Sequence, residues 1–241
     1  MNWNCVHLKK DFEVNMIRKK IKPCAVVFGI DDSKNIAAAI AILSAQNGLH
    51  VYLAGENQSA LNEVTSIIQH MGGSASSKIL INIDSTAINL FFEHIEHAGY
   101  RPAFVVHGNQ GTVNQSALNT SVSEIEYEWY RQCFSGFLIG QMAIQQMLTF
   151  KQGTLLFLGH LTSTNPVKGK AAFAAAGAGL RSFAQSMARE FGPKGIHVTH
   201  VLLDDTEISG RELNARAVAD TCWQLYCQHK TAWTHELDIR P

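Results

Sequence analysis

The sequence predicts one α/β domain, in which helices cover both faces of a parallel sheet of about seven strands. Short apolar runs of strand length alternate with helical patterns along most of the chain. The 241 residues suit one such domain, and a hydrophobic content of 46% is enough for a core under a parallel sheet. Because repeated strand–helix units cross over right-handedly, the pattern indicates a doubly wound, Rossmann-type sheet.

The first half of the chain supplies four predicted strands and three predicted helices. The strands are the apolar runs 24–28, 51–54, 79–83 and 103–107. The helices lie between them, at 36–43, 61–71 and 87–97. Gly29 ends the first strand, and Asn47-Gly48 stops the first helix. Apolar residues recur at helical spacing from Leu61 to Ile68, and Gly72-Gly73 closes that helix.

The second half continues the alternation with four helices and three strands. In chain order they are helices 124–132 and 134–150, strand 154–158, helix 170–191, strand 196–203, helix 215–229 and strand 236–240. Gly192-Pro193 ends the long Ala-rich helix. We interpret 23–241 as a single domain.

Residues 1–22 differ from the rest, because they are rich in Lys and Arg and have few apolar positions. We interpret them as an N-terminal extension. Three hypotheses stay open: a frayed, disordered arm, a stretch upstream of a start at Met16, or a basic docking segment. The sequence does not choose between Met1 and Met16 as the first residue.

Composition argues against several classes of partner. Lys plus Arg and Asp plus Glu number 20 each, so the zero net charge gives no reason to expect nucleic acid or an anionic membrane. No apolar run reaches the roughly 20 residues that a membrane helix needs. The five cysteines are odd in number, form no CxxC pair and follow no secretory signal. These features favour a cytoplasmic protein with free thiols.

The turn after the first strand is a candidate phosphate site. Gly29 lets the backbone turn tightly, and Asn35 can cap the helix that begins at Ile36, whose free N–H groups could hold a diphosphate. A glycine-rich cradle would need further glycines, however, and Asp31 and Asp32 place negative charge in the loop. An ordinary strand–turn–helix corner without a ligand explains the turn equally well.

Acidic residues follow the next two strands. Glu56 could accept hydrogen bonds from an adenosine ribose, which would favour NAD over NADP, and no arginine follows this strand to hold a 2′-phosphate. Glu56 could equally be a solvated charge. Asp84 could bond an adenine amine or cap the next helix.

These pieces together resemble the short-chain dehydrogenase/reductase family over about residues 23–241. The resemblance rests on the strand end at Asp84, on the tract 105–111 (VVHGNQG) and on the passage 189–198 (REFGPKGIHV). The turn that begins at Gly29 is similar to the phosphate loop of the enoyl reductases. The resemblance implies an NAD(P)-dependent oxidoreductase whose cofactor contacts are Gly29, Asn35, Ile36, Glu56, Asp84 and Gly108.

The family's catalytic positions carry other residues in this chain. Phe173 and Gly177 stand where the family has its tyrosine and lysine, and His160 stands at the serine position. Phenylalanine donates no proton, and glycine cannot lower a neighbour's pKa. We therefore expect dehydrogenase activity to be lost or much reduced, with at most weak binding of NAD or NADP, NAD being favoured, or of neither.

Two alternatives remain open. The chain could be an active oxidoreductase in which His160 serves as the acid, or it could be a non-enzymatic interaction module. His160 could also be a loop-facing histidine that bonds backbone. A metal held by His107 and His160 would lack a third ligand, so we predict no metal site.

Self-association is the remaining prediction. In relatives, the helices corresponding to 134–150 and 170–191 form a dimer interface. The small residues at 174–179 would allow close contact with a second copy, giving a homodimer or homotetramer. Packing of these small residues within one chain is the alternative.

Overall fold

The computed structural model describes residues 21–81, 83–108, 114–204 and 212–241. Its strands are β1 (Lys22–Phe28), β2 (His50–Gly55), β3 (Ala75–Ile79), β4 (Tyr100–His107), β5 (Gly153–His160), β6 (Ile196–Leu203) and β7 (Glu236–Ile239). They form one parallel sheet in the order β3-β2-β1-β4-β5-β6-β7. The predicted doubly wound sheet of about seven strands is confirmed, and its order reverses between β1 and β4, where ligands bind in such sheets.

Helices pack on both faces of this sheet. In the described ranges they are α1 (Ile36–Gln46), α2 (Gln58–His70), α3 (Ser85–His97), α4 (Val122–Glu128), α5 (Ser135–Leu148), α6 (Ala171–Phe191) and α7 (Ala215–Cys227). Side chains of α1, α2 and α7 bury one face of the sheet, and those of α3, α5 and α6 bury the other. The carboxyl ends of the strands stay between these layers, which is where the candidate site lies.

Two predicted elements differ from the structure. The third strand is Ala75–Ile79 rather than 79–83. It is a polar, largely exposed edge strand that pairs with β2 through its backbone, so hydrophobicity does not mark it. The apolar side chains of Leu80 and Ile83 are instead buried beyond the strand end. The two helices predicted at 124–132 and 134–150 are also one continuous helical segment, because the π-helical turn Trp129–Phe134 joins α4 to α5.

The proposed extension lies mostly outside the described residues, and β1 includes its last residue, Lys22. Cys24, Cys133 and Cys222 are free and buried, whereas Cys227 is in a disulfide bond. The expectation of free thiols is therefore wrong for Cys227. Burial raises the pKa of the Cys24 and Cys222 thiols to about 12, which makes both unreactive. None of the helices in the described ranges has the length and hydrophobicity to cross a membrane.

Candidate active site

The first turn at the carboxyl edge of the sheet is built as its sequence indicates. Gly29 has a φ of 90°, and the N–H groups of Gly29 and Ile30 donate to the carbonyl of Ala54 at 3.0 and 3.1 Å. The Asn35 side chain caps α1, since its Oδ1 accepts the Ala38 N–H at 2.8 Å while its Nδ2 donates to the Gly29 carbonyl. The N-terminus of α1, from Ile36, therefore opens at the switch point, as a diphosphate site would require.

An arginine from a distant part of the chain spans this edge. The Arg131 guanidinium donates from Nη2 to Asp31 Oδ2 at 2.5 Å and from Nη1 to Glu56 Oε1 at 2.6 Å. Its side chain is only 13% exposed. Burial lowers the pKa of Arg131, but the charges of Asp31 and Glu56 outweigh burial and raise that pKa above its usual value. No arginine follows β2 in the sequence, and the arginine beside Glu56 comes from a distant part of the chain.

The π-helical turn accounts for the direction of the Arg131 side chain. The turn lies between α4 and α5, and its next two residues, Gln132 and Cys133, are buried. Arg131 instead reaches across the cleft, and its carbonyl accepts a hydrogen bond from the Ser135 hydroxyl at 2.6 Å. Single π-helical turns inside α-helices are frequent at functional sites. Here the turn places the Arg131 guanidinium at the cleft.

A small enclosed space lies between the ends of β1, β2 and β3. It measures about 10 Å³ and is lined by Phe28, Asp31, Ala54, Gly55, Glu56, Leu80 and Ile83. That volume holds about one water molecule. Arg131 does not line this space, but the two carboxylates that it binds do.

The two other predicted cofactor residues serve local structure. Asp84 caps α3, since its Oδ1 accepts the Ala87 N–H at 2.8 Å, so the capping interpretation is confirmed. The Gly108 N–H donates to the Phe28 carbonyl at 3.0 Å. A β-carbon at Gly108 would lie 2.8 Å from that carbonyl oxygen, so the position requires glycine. The tract that follows, 109–113, lies outside the described residues.

His160 closes the end of β5 and is 4% exposed. Its Nδ1 accepts the Thr162 backbone N–H at 3.0 Å and lies 2.8 Å from the Thr162 hydroxyl. The interpretation of His160 as a histidine that bonds loop backbone is therefore confirmed. Because Nδ1 is the acceptor, the neutral ring carries its proton on Nε2.

Phe173 packs against that histidine. The two ring centroids are 5.1 Å apart in an edge-on arrangement, and Phe173 is 6% exposed. The Lys170 ammonium lies 5.4 Å from the centroid of the Phe173 ring. Gly177 is buried one turn further along α6, and a β-carbon there would lie 3.3 Å from the Ser163 β-carbon and 3.5 Å from Gln132 Oε1. An apolar ring and a glycine therefore line this part of α6.

A carboxyl group is buried close to Gly177. Glu128 has no exposed surface, and its Oε2 accepts a hydrogen bond from Gln132 Nε2 at 2.7 Å. Asp204, which follows β6, is 4% exposed, and its Oδ1 has no hydrogen-bond partner among the described residues. Two buried carboxyl groups, those of Glu128 and Asp204, therefore add polar atoms to the part of the structure around Gly177.

His107 is enclosed beneath the cleft. It has no exposed surface, and its Nε2 lies 2.9 Å from the Ser135 hydroxyl oxygen. Burial, followed by the charges of His200 and Arg131, lowers the pKa of His107 to about 3. His107 and His160 therefore bond to different hydroxyl groups. In the described ranges, no group of three or more His, Cys, Asp or Glu residues could hold a metal ion.

Residues 24–212 match the model of the short chain dehydrogenase family. The chain belongs to this family. An uncharacterized oxidoreductase of Staphylococcus epidermidis is 24% identical over 233 residues, which cover 90% of this chain and 96% of that protein. The 3-oxoacyl-(acyl-carrier-protein) reductase FabG of Escherichia coli is 27% identical over 173 residues, which cover 70% of this chain and 68% of the reductase.

Solved structures of short-chain dehydrogenases share the fold over nearly the whole domain. One from Rhodopseudomonas palustris has a TM-score of 0.83 and 33% identity, covering 91% of this chain and 98% of its own. A metagenomic short-chain oxidoreductase in complex with NADP has a TM-score of 0.82 and covers 91% of this chain and 96% of its own. At 24% identity, this second likeness shows the fold alone.

Sequence inspection missed the residues that shape this short-chain dehydrogenase cleft. Arg131 lies 75 residues beyond Glu56 and 100 beyond Asp31, so no local motif joins them. The one available signal was an excess of carboxylates at the ends of β1 and β2 without an adequate local cation. Such a cluster favours a counterion from elsewhere in the chain.

Proposed function

We propose that this chain is a member of the short-chain dehydrogenase family in which carbonyl reduction is lost or much reduced, and in which dinucleotide binding is at most weak. The observation that carries this proposal is the wall formed by His160, Phe173 and Gly177. In the family resemblance, these positions belong to the serine, tyrosine and lysine of the reaction centre.

The chemical argument concerns one proton. Reduction of a carbonyl needs a donor beside the hydride acceptor, and the family uses a tyrosine whose pKa an ammonium lowers. Phe173 has no hydroxyl. At Gly177 the nearest atoms of other residues belong to Ser163 and Gln132. The site therefore keeps the shape of a reaction centre without its acid.

The family implies a bound NAD or NADP. The Glu56 carboxylate that would hold an adenosine ribose is bound to Arg131, although the α1 N-terminus is correctly placed for a diphosphate. The Asp204 Oδ1, which has no partner among the described residues, would accept a donor such as an amide N–H. Because Arg131 occupies the carboxylate suited to the ribose, we derive no step through the cofactor. The argument for NAD over NADP also loses its premise, since Arg131 lies beside Glu56.

An activity assay tests this proposal. Purified protein is mixed with NADH or NADPH and a panel of ketones, aldehydes and 3-oxoacyl thioesters, and dinucleotide absorbance is followed. We expect turnover to lie at least about 10²-fold below that of an active family member assayed alongside, because a general acid alone contributes about 10²–10⁴. Turnover comparable to that of the active enzyme would refute the loss of activity.

The second candidate function is an oxidoreductase in which His160 is the acid. The observation in its favour is the Nε2 proton, which follows from the hydrogen bond accepted by Nδ1. In that case His160→Ala would abolish any measured turnover, while His97→Ala, on the exposed side of α3, would not. Equal turnover in the two variants would rule out His160 as the acid.

We also propose that the chain self-associates through α5 and α6. Part of the small-residue surface of α6 packs within the chain, because a β-carbon at Gly179 would lie 2.9 Å from Cys133 Sγ. Ala175 and Ala178 remain exposed. Trp129 and Phe137 also expose 48% and 42% of their surface, which large aromatic residues seldom do on a monomer.

Light scattering coupled to size exclusion tests this surface. We expect a dimer or tetramer for the wild type and a smaller species for Phe137→Glu, because a buried unpaired carboxylate opposes association. Leu90→Glu is the control, since Leu90 is 61% exposed on α3, away from this surface. A monomeric wild type, or equal masses for wild type and Phe137→Glu, would contradict the proposal.

A further inference from the structure

We propose that Arg131 is an internal plug: its guanidinium closes the adenosine half of the cleft and must leave Asp31 and Glu56 before an adenine nucleoside can bind. This inference rests on the proposed function only in taking this cleft as the place for a dinucleotide. It goes further by naming the residue that keeps dinucleotide affinity low.

The contacts of Arg131 define the plug. Asp31 belongs to the turn after β1, and Glu56 directly follows β2. The two ion pairs of Arg131 therefore link the two segments between which an adenosine would enter. These segments are also bonded to each other, because the Glu56 N–H donates to Asp31 Oδ1 at 3.1 Å. The carboxylate suited to a ribose is therefore already engaged by a cation of the same chain.

The packing around the plug restricts what can move. The strand ends at Phe28 and Ala54 are buried core. The space that an adenosine needs beside Glu56 therefore has to come from the Arg131 side chain. The Arg131 backbone can stay in place while the side chain moves, since the Ser135 hydroxyl holds its carbonyl.

Tyr127 on α4 already contacts the arginine. Its ring is 47% exposed, and its centroid is 5.9 Å from the Arg131 guanidinium carbon. An arginine that leaves two carboxylates can keep this aromatic contact. Asp31 and Glu56 are about one third and two fifths exposed, so water can solvate both when the ion pairs break.

Ionic strength should therefore control the plug. Salt screens partly exposed ion pairs, so more salt should loosen Arg131. Adenosine carries no charge, and salt has little direct effect on its own binding. Adenosine is therefore the probe, because a salt-dependent affinity for it reports on the protein.

The experiment is a calorimetric titration of adenosine into the full chain. We expect Arg131→Met to bind adenosine about tenfold more tightly than the wild type in 20 mM NaCl. Raising NaCl to 500 mM should tighten wild-type binding several-fold and leave Arg131→Met unchanged. Arg181→Met is the control: it breaks a two-point ion pair with Glu236 on β7, in which Arg181 is 33% exposed, and should bind like the wild type.

A second measurement tests the ion pair without any ligand. Urea unfolding of Arg131→Met, Glu56→Gln and the double variant should show non-additive midpoints, because both single changes break the same pair. Additive midpoints would overturn the proposal. It would also fail if Arg131→Met bound adenosine no better than the wild type, or if neither bound it. The assay of carbonyl reduction does not depend on these measurements. The proposal of lost activity and the proposal of an Arg131 plug can therefore fail separately.

Discussion

Lowering the pH from 7.5 to 5 is expected to reduce the free energy of unfolding by about 2 kcal/mol through His107 alone. The folded-state pKa of His107 is about 3, against an ordinary value of 6.5. The unfolded chain therefore binds a proton at pH 5 that the folded chain does not. The stability is complete above pH 6.5 and is lost progressively as the pH falls toward 3.

Burial is the main cause of the lowered pKa of His107, and the hydrogen bonds around the ring show where an added proton would lie. Ser135 donates its hydroxyl proton to the Arg131 carbonyl, so its oxygen accepts from His107 Nε2. The proton gained on protonation would then sit on Nδ1, which is buried without a partner. His200 behaves similarly, because burial lowers its pKa to about 4 despite the carboxylate of Glu236 at 3.9 Å.

Urea unfolding at pH 7.5 and pH 5 measures this effect. His107→Gln keeps a donor for Ser135 and removes the titrating group, so we expect its loss of stability between the two pH values to be about 2 kcal/mol smaller than that of the wild type. The exposed His97 supplies the control, His97→Gln, which should lose as much as the wild type. The same pH dependence in all three proteins would show that His107 is not the cause.

Gly55→Ala is expected to destabilise the domain by about 3 kcal/mol, at the upper end of the usual cost of overpacking. A β-carbon at Gly55 would lie 2.3 Å from the Ile30 carbonyl oxygen and 2.8 Å from its carbon. Ile30 cannot retreat, because its N–H is bonded to Ala54 in the same strand as Gly55. The end of β2 and the first turn would have to separate.

Gly192→Ala is the matched control for this substitution. Gly192 has helical backbone angles, with φ at −53°, and no atom beyond its chain neighbours lies within 4 Å of its β-carbon position. Pro193 follows and disfavours helical angles at a residue with a β-carbon, which offsets the benefit of restricting the unfolded chain. Gly192→Ala should therefore destabilise the domain by much less than Gly55→Ala. Denaturant midpoints of both variants measure the difference. Equal midpoints would mean that the Ile30 carbonyl can move away from a β-carbon at residue 55 at little cost in free energy.

The fold could be predicted because most elements carry a physical signal in their own residues. The buried strands β1, β4 and β5 contain short apolar runs, and glycines mark several of the element ends. The prediction failed at β3, which lies at the edge of the sheet. There, backbone pairing with β2 decides the structure, and the centre of the strand, Ser76-Ser77-Lys78, is polar.

The site could be predicted in part. The caps at Asn35 and Asp84 follow from neighbouring residues, and the role of His160 at the end of β5 could be weighed from its position. The ion pairs of Arg131 and the burial of Glu128 could not be foreseen. Both depend on how the helical segment 122–148 rotates over the sheet, which tertiary packing determines.

The π-helical turn Trp129–Phe134 has a consequence for chain length. Such a turn contains one residue more than the α-helical path requires. Deleting one residue there would turn the segment into a plain α-helix in which α4 and α5 keep their places. Arg131 lies inside the turn, so its side chain would leave from a different point of the helix surface. A single codon would then decide whether Asp31 and Glu56 keep their counterion.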